Sequence, residues 1–339
     1  MTLSNTSSDR NYNSLDLCKL IMAILVVAIH THPLENCTNR TVLIIYNQIT
    51  QMAVPFFFLA SGYLLSAKFS SFSDAQKNIG ITFRQIGKIL KMYLVWSLIY
   101  LPLAILDNWR SGTSFLDNLL SYIRGLVFIG EHYNSWHLWY LLSTVYALIL
   151  VMALFRFRLN VKKWIIVVSS ILGLSIFMDE IAAYSKVLPT VLHLFRTLVA
   201  LTTVNGRILQ GAFFIPIGIL MGNKNMSLWK CLVLFTGCFC TNFFIENTVI
   251  STILTYVCGV ALFGILLHIN LKEHYIYIIL RKLSTDIYLI HMYIFSFYCS
   301  LIHKEVHFGW DSFLVTAILS LAVGLLHLRF TTKKKAAAS

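Results

Sequence analysis

The chain has 339 residues, of which 58% are hydrophobic and 12% charged, and its mean hydropathy is +0.73. That balance excludes a soluble domain and leaves a polytopic helical membrane protein. The formal net charge of +13 needs no nucleic acid, because membrane orientation and anionic lipid account for it once the basic residues are placed along the chain.

Residues 1–14 form a polar tail. The apolar run that follows is polar at its ends and lacks an A-x-A cleavage site, so it is a retained first span and not a signal peptide. Ten helices are predicted, over roughly 15–33, 42–67, 86–107, 137–156, 162–178, 207–222, 229–245, 250–268, 284–302 and 312–328. They compose a transmembrane domain over 15–330. The last residues, 331–339, carry Lys333 to Lys335 and three alanines, the composition of an added linker. With the N-terminus inside, 19 of the 27 basic residues fall on inner segments and seven on outer ones. Lys19 lies within a span. This asymmetry places both termini in the cytoplasm. Two outer loops are longer than a turn requires, and 121–129 and 188–196 within them are amphipathic enough for interfacial or re-entrant helices.

The first span carries the leading candidate. Asp16 and Lys19 stand at its start and His30 near its end, with about 16 Å between Lys19 and His30 at the α-helical rise. An ionisable side chain in a bilayer is costly unless it faces the bundle interior or a wet cavity, so His30 marks a functional site. Asp16 and Lys19 are three apart and can pair. In the second span, Pro55 should kink the helix beside Gln48, Thr50 and Gln51 and open a polar crevice against the first helix. Ser61-Gly62 permits close helix approach. Trp136, Trp139 and Tyr140 read as an interfacial aromatic belt, with His137 among them. Arg84, Lys88 and Lys91 recur at helical spacing, either as an inner anchor or, with Lys19, as a site for a phosphate-bearing donor. Arg281, Ser284, Asp286, Tyr288 and His291 read as inner-face polar groups, and Arg207 as an outer one. The seven cysteines include no metal-spaced pair, and no metal is expected.

Several segments together resemble a known family. Leu15-Asp16 and Lys19 followed by an apolar run to His30, Val54-Pro55-Phe56-Phe57-Phe58-Leu59-Ala60-Ser61-Gly62, Trp136-His137-Leu138-Trp139-Tyr140-Leu141, Phe213-Phe214-Ile215-Pro216-Ile217-Gly218 and Leu283-Ser284-Thr285-Asp286-Ile287-Tyr288-Leu289-Ile290-His291 are similar, in order and spacing, to elements of the membrane acyltransferase family 3. Within it the chain resembles the membrane half of membrane-bound serine racemases from vancomycin-resistance clusters. The resemblance implies an all-α bundle that transfers an acyl group from a cytoplasmic acyl-CoA, with His30 as general base or acyl relay. Asp16, Lys19, His137, Arg207, Ser284, Tyr288 and His291 would contact substrate, and Lys19, Arg84 and Lys88 the donor's anion. Where the family carries arginine, Lys19 can meet a phosphate only as a point charge. The resemblance also implies membrane lipid as a partner and a covalently linked, dimer-forming racemase domain holding pyridoxal phosphate, itself outside this chain. Three readings follow: an acyltransferase, a module that handles L-serine for a tethered racemase, and a silent anchor.

Overall fold

The computed structural model describes residues 12–338 except 113, 132, 184–196, 198–208, 224 and 225. The described residues contain no strand, and each of the ten expected segments holds helix among its described residues. The helices are α1 (Asn13–Thr31), α2 (Arg40–Gln51), α3 (Ala53–Ser66), α4 (Ala75–Ser111), α5 (Phe115–Arg124), α6 (Trp139–Arg156), α7 (Val161–Ala183), α8 (Gln210–Asn223), α9 (Leu228–Thr241), α10 (Thr248–Leu266), α11 (Ile276–Tyr298) and α12 (Trp310–Ala338). Seven helical stretches among the described residues are long and apolar enough to cross a bilayer. The apolar helices α8 and α9 are shorter, at 14 residues each. The interfacial segment expected at 121–129 is the end of α5 and a π-helical turn, Gly125–Ile129; its counterpart at 188–196 lies outside the described residues.

The predicted second helix is two helices. Proline cannot donate, and its ring clashes with the carbonyl four residues back, here Gln51. The chain breaks at Met52, and Pro55 becomes the third residue of α3, where the missing N–H is one a helix start leaves unpaired anyway. The polar crevice also moves. Tyr46 turns toward α1 and donates to the Ala28 carbonyl at 2.8 Å. The stripe of Asn47, Gln48 and Gln51 points elsewhere and lines a cavity of about 230 Å³ with Asn242, Ser251 and Thr255, toward α10 and not toward α1.

α3 lies against α8 at backbone contact, as Ser61-Gly62 suggests. A Cβ added at Gly62 would stand 2.1 Å from the Ile215 carbonyl oxygen, and one at Gly218 would stand 2.3 Å from that of Leu59. Only hydrogen fits at these crossings. On the other side α1 packs along α11, and α11 along α12. Asp16 meets Arg281 at one end of α1, and His30 meets His291 near the other. The two helices therefore run in the same direction, which requires an odd number of crossings between them; the ten-segment reading places seven there.

Candidate functional site

The bundle has a basic end and a histidine end. At the basic end the Lys19 ammonium lies 2.8 Å from the Asp16 carboxylate, and Arg281 reaches the other carboxylate oxygen at 3.5 Å. Asp16 is buried, so two cations share one desolvated anion and leave net positive charge facing the interior. That charge borders a cavity of about 340 Å³ lined by Lys19, Lys68, Gln85 and Arg281 and, deeper, by Ser61, Tyr140, Ser284 and Tyr288. Lys68 donates to the Gln85 side-chain oxygen at 3.2 Å. Partial burial, with the Lys88 ammonium nearby, holds the Lys68 amine below its ordinary pKa. Ser284 turns its hydroxyl back to the Arg281 carbonyl at 2.8 Å, which keeps this first turn of polar groups compact.

Tyrosines close the inner end of the cavity. The Tyr140 hydroxyl lies 3.0 Å from the Ser61 hydroxyl and donates to the Phe57 carbonyl at 3.2 Å. The Tyr288 hydroxyl donates to the His137 carbonyl. Behind them stand three imidazoles. His137 is packed 4.9 Å from His291, and His291 5.3 Å from His30, measured between ring centroids. Tyr100 covers the far side of His137 at 5.2 Å and bonds to α11, donating to the Leu289 carbonyl at 3.0 Å.

His291 is wholly buried. Its Nδ1 faces the Tyr288 carbonyl at 2.8 Å and the Ile287 carbonyl at 3.2 Å. Carbonyl oxygens only accept, so Nδ1 carries a proton and donates. Nε2 is buried with no hydrogen-bond partner among the described residues. His30 is half-buried and is the imidazole nearest the end of its helix.

The structure therefore brings His30, His137, His291 and Tyr288 into one cluster and Asp16, Lys19 and Ser284 into the basic end. Lys88 faces Lys68 from outside the cavity wall, Arg84 is exposed away from the lining, and Arg207 lies outside the described residues. His291 is deeper than expected, because α11 begins at Ile276 and not near 284; fifteen residues raise it about 22 Å along the axis, level with His30. Trp139 and Tyr140 are not belt residues. They pack on Phe58, with centroids at 6.0 and 4.5 Å, and only Trp136 faces outward. Lys68 and Gln85 join the site without a sequence signal, since neither stands out from an ordinary loop lysine or surface glutamine.

Over residues 12–329 the chain matches the acyltransferase domain of acyltransferase family 3. The chain belongs to that family. It is also 30% identical over 217 residues to an amino-acid racemase of Enterococcus faecalis, covering 64% of this chain and 28% of the relative. A second amino-acid racemase of that organism is 34% identical over 153 residues, 44% of this chain and 21% of the relative. A serine/alanine racemase of Enterococcus gallinarum is 38% identical over 94 residues, 27% and 13% respectively. The chain thus spans little more than a quarter of the longest-matched curated relative. No solved structure matches it. In this acyltransferase-family domain, Tyr288 lines the cationic cavity on one side and packs on the imidazole of His137 on the other.

Proposed function

We propose that the chain is a membrane acyltransferase domain whose basic end docks the anionic head of an acyl thioester such as acyl-CoA and whose histidine end activates the acceptor. The single observation that carries this is the cavity flanked by Lys19, Lys68 and Arg281 that ends on Tyr288, directly below the His137, His291 and His30 rings. Two cations on one carboxylate, with Lys68 on the same cavity, favour a polyanion. The head-to-histidine span of about 16 Å suits a donor with a long flexible arm. Opening the site requires the Tyr288 side chain to leave the His137 carbonyl, so the donor's arm replaces the tyrosine. An acceptor hydroxyl then gives its proton to His30 as its oxygen bonds to the thioester carbon; the carbon–sulfur bond breaks, and the departing thiolate takes up a proton. His291, fixed by its carbonyl contacts, orients the His30 ring.

The orientation that fits this chemistry has the basic end in the cytoplasm, which agrees with the 19-to-7 distribution of basic residues. External cysteine labelling should reach Lys304→Cys and miss Lys224→Cys.

The racemase names of the relatives favour a second reading, in which the same passage carries L-serine toward a racemase domain linked beyond this chain. Proteoliposomes holding the purified protein separate the two. Labelled acyl-CoA yielding an acylated acceptor supports transfer. Labelled serine crossing unmodified supports the second reading, and neither activity leaves an anchor.

A further inference from the structure

A cluster outside this passage has the chemistry of a metal site. His303, His307 and Asp311 repeat at four-residue spacing across the end of one helix and the start of the next. The spacing does not run along one helix: His303 ends a π-helical turn, Lys304 turns left-handed with φ 64°, and α12 begins at Trp310. The fold nevertheless gathers one ligand atom from each residue within 4.8 Å. Both Nε2 atoms face the same carboxylate oxygen, at 3.4 Å from His303 and 3.3 Å from His307. Bonds of about 2.0–2.1 Å at tetrahedral angles separate two ligands by about 3.3 Å, so the observed gaps match a shared zinc-like ion. The imidazoles stack at 3.9 Å and 12°. Two imidazolium rings would repel there, whereas neutral rings are the ligating form. Tyr298 donates to the same Asp311 oxygen, Oδ2, at 3.0 Å and lies 3.4 Å from His303 Nε2, which fixes the carboxylate against the two rings. A cavity of about 450 Å³ between this loop and residues 33–37 reaches His307 and Asp311 and leaves room for a water as fourth ligand.

We infer that His303, His307 and Asp311 bind one divalent transition cation of the zinc class, which clamps the loop closing the histidine end. The loop is tied to α1 beside His30. Gly309 donates to the Thr31 carbonyl at 3.0 Å, and Phe308 packs on His32 at 4.8 Å between centroids. The cation would therefore stiffen the rim of the His30 site. The inference stands whether the passage carries an acyl group or serine.

The test is zinc titration of the whole purified protein, stripped with chelator, by calorimetry, and cobalt titration followed by visible absorption. Expected are one cation per chain, the absorption of tetrahedral cobalt, and an upward shift of the melting temperature with zinc. His303→Ala and His307→Ala should each weaken binding at least ten-fold, His307→Ala with Asp311→Asn should abolish it, and the distant His274→Ala should leave it unchanged. Absence of saturable uptake, or equal affinity in the double variant, overturns the site. Should the variants fold poorly, zinc-edge X-ray absorption of the wild type decides: two imidazoles with oxygen support it, and sulfur ligands refute it. A melting temperature that responds to pH near 6–7 but not to zinc would make the cluster a proton-sharing pair and end the proposal.

Discussion

The two ends of this bundle meet the same problem, polar groups within an apolar membrane domain, in opposite ways. The basic end leaves its cations around a cavity and offsets them with one buried carboxylate, Asp16. The histidine end packs its polar groups as rings against rings and ties some of them to helix carbonyls, as His291 Nδ1 and the Tyr100 hydroxyl do. The first arrangement leaves net positive charge beside a cavity, which the proposed anionic donor would offset. The second packs its rings against one another and leaves Nε2 of His291 buried without a hydrogen bond among the described residues. Tyr288 belongs to both, lining the cavity and touching His137.

The sharpest way to break the contrast is at His30. His30→Ala should reduce acyl transfer, or serine flux, by about 10²–10⁴-fold, the range a general base supplies, with little change in melting temperature, because the residue is half-buried and water can replace the ring. Wild-type turnover of labelled substrate in the variant would remove His30 from the site. A change that respects neither end comes next. Gly218→Val drives a side chain into the Leu59 carbonyl at the α3–α8 crossing. It should cost about 3 kcal/mol, the upper range for overpacking, read as a lower denaturation midpoint with both ends impaired together.

Lys68→Ala should act on the basic end alone and weaken donor binding by about ten-fold, roughly 1.4 kcal/mol, without altering turnover at saturation. Its pH dependence follows from the depressed amine. In the free protein the charged form of Lys68 is disfavoured, and a bound anion favours it, so binding takes up a proton near the depressed pKa. Affinity should fall as pH rises through that value, below the ordinary lysine range, and Lys68→Ala should flatten the fall. A wild-type profile that stays level until the ordinary lysine range would separate Lys68 from the donor. The smallest effect belongs to the gate. Tyr288→Phe removes the hydrogen bond to the His137 carbonyl and should change the rate only a few-fold, upward where opening limits turnover.

Much of this was legible in the sequence. The expected apolar segments are helical where they are described, seven stretches of them at bilayer length, because apolar runs in a bilayer have one way to satisfy their backbone. The Asp16–Lys19 pair, the break near Pro55 and the close approach at Gly62 follow from i,i+3 spacing, the missing N–H and the missing Cβ, all local properties of named residues. His30 stood out because an imidazole in an apolar helix needs an interior to face. The depth of His291 was misjudged because α11 starts two turns early, over Tyr277 and Arg281, which look like loop residues until they are packed. Trp139 and Tyr140 were misassigned because a belt and a core ring have the same composition and differ only in the face they present.

By itself, then, the sequence determined the class, the helical segments, the basic asymmetry and the family, since each depends on composition or on residues within one turn of one another. Tertiary structure alone decided that Lys68 and Arg281 share a cavity, that His30, His137 and His291 meet from three segments, and that His303, His307 and Asp311 converge across a helix break. The physical reason is that side-chain direction depends on where each helix begins and how its neighbours rotate it. A shift of one residue turns a side chain by about 100° on a 3.6-residue helix.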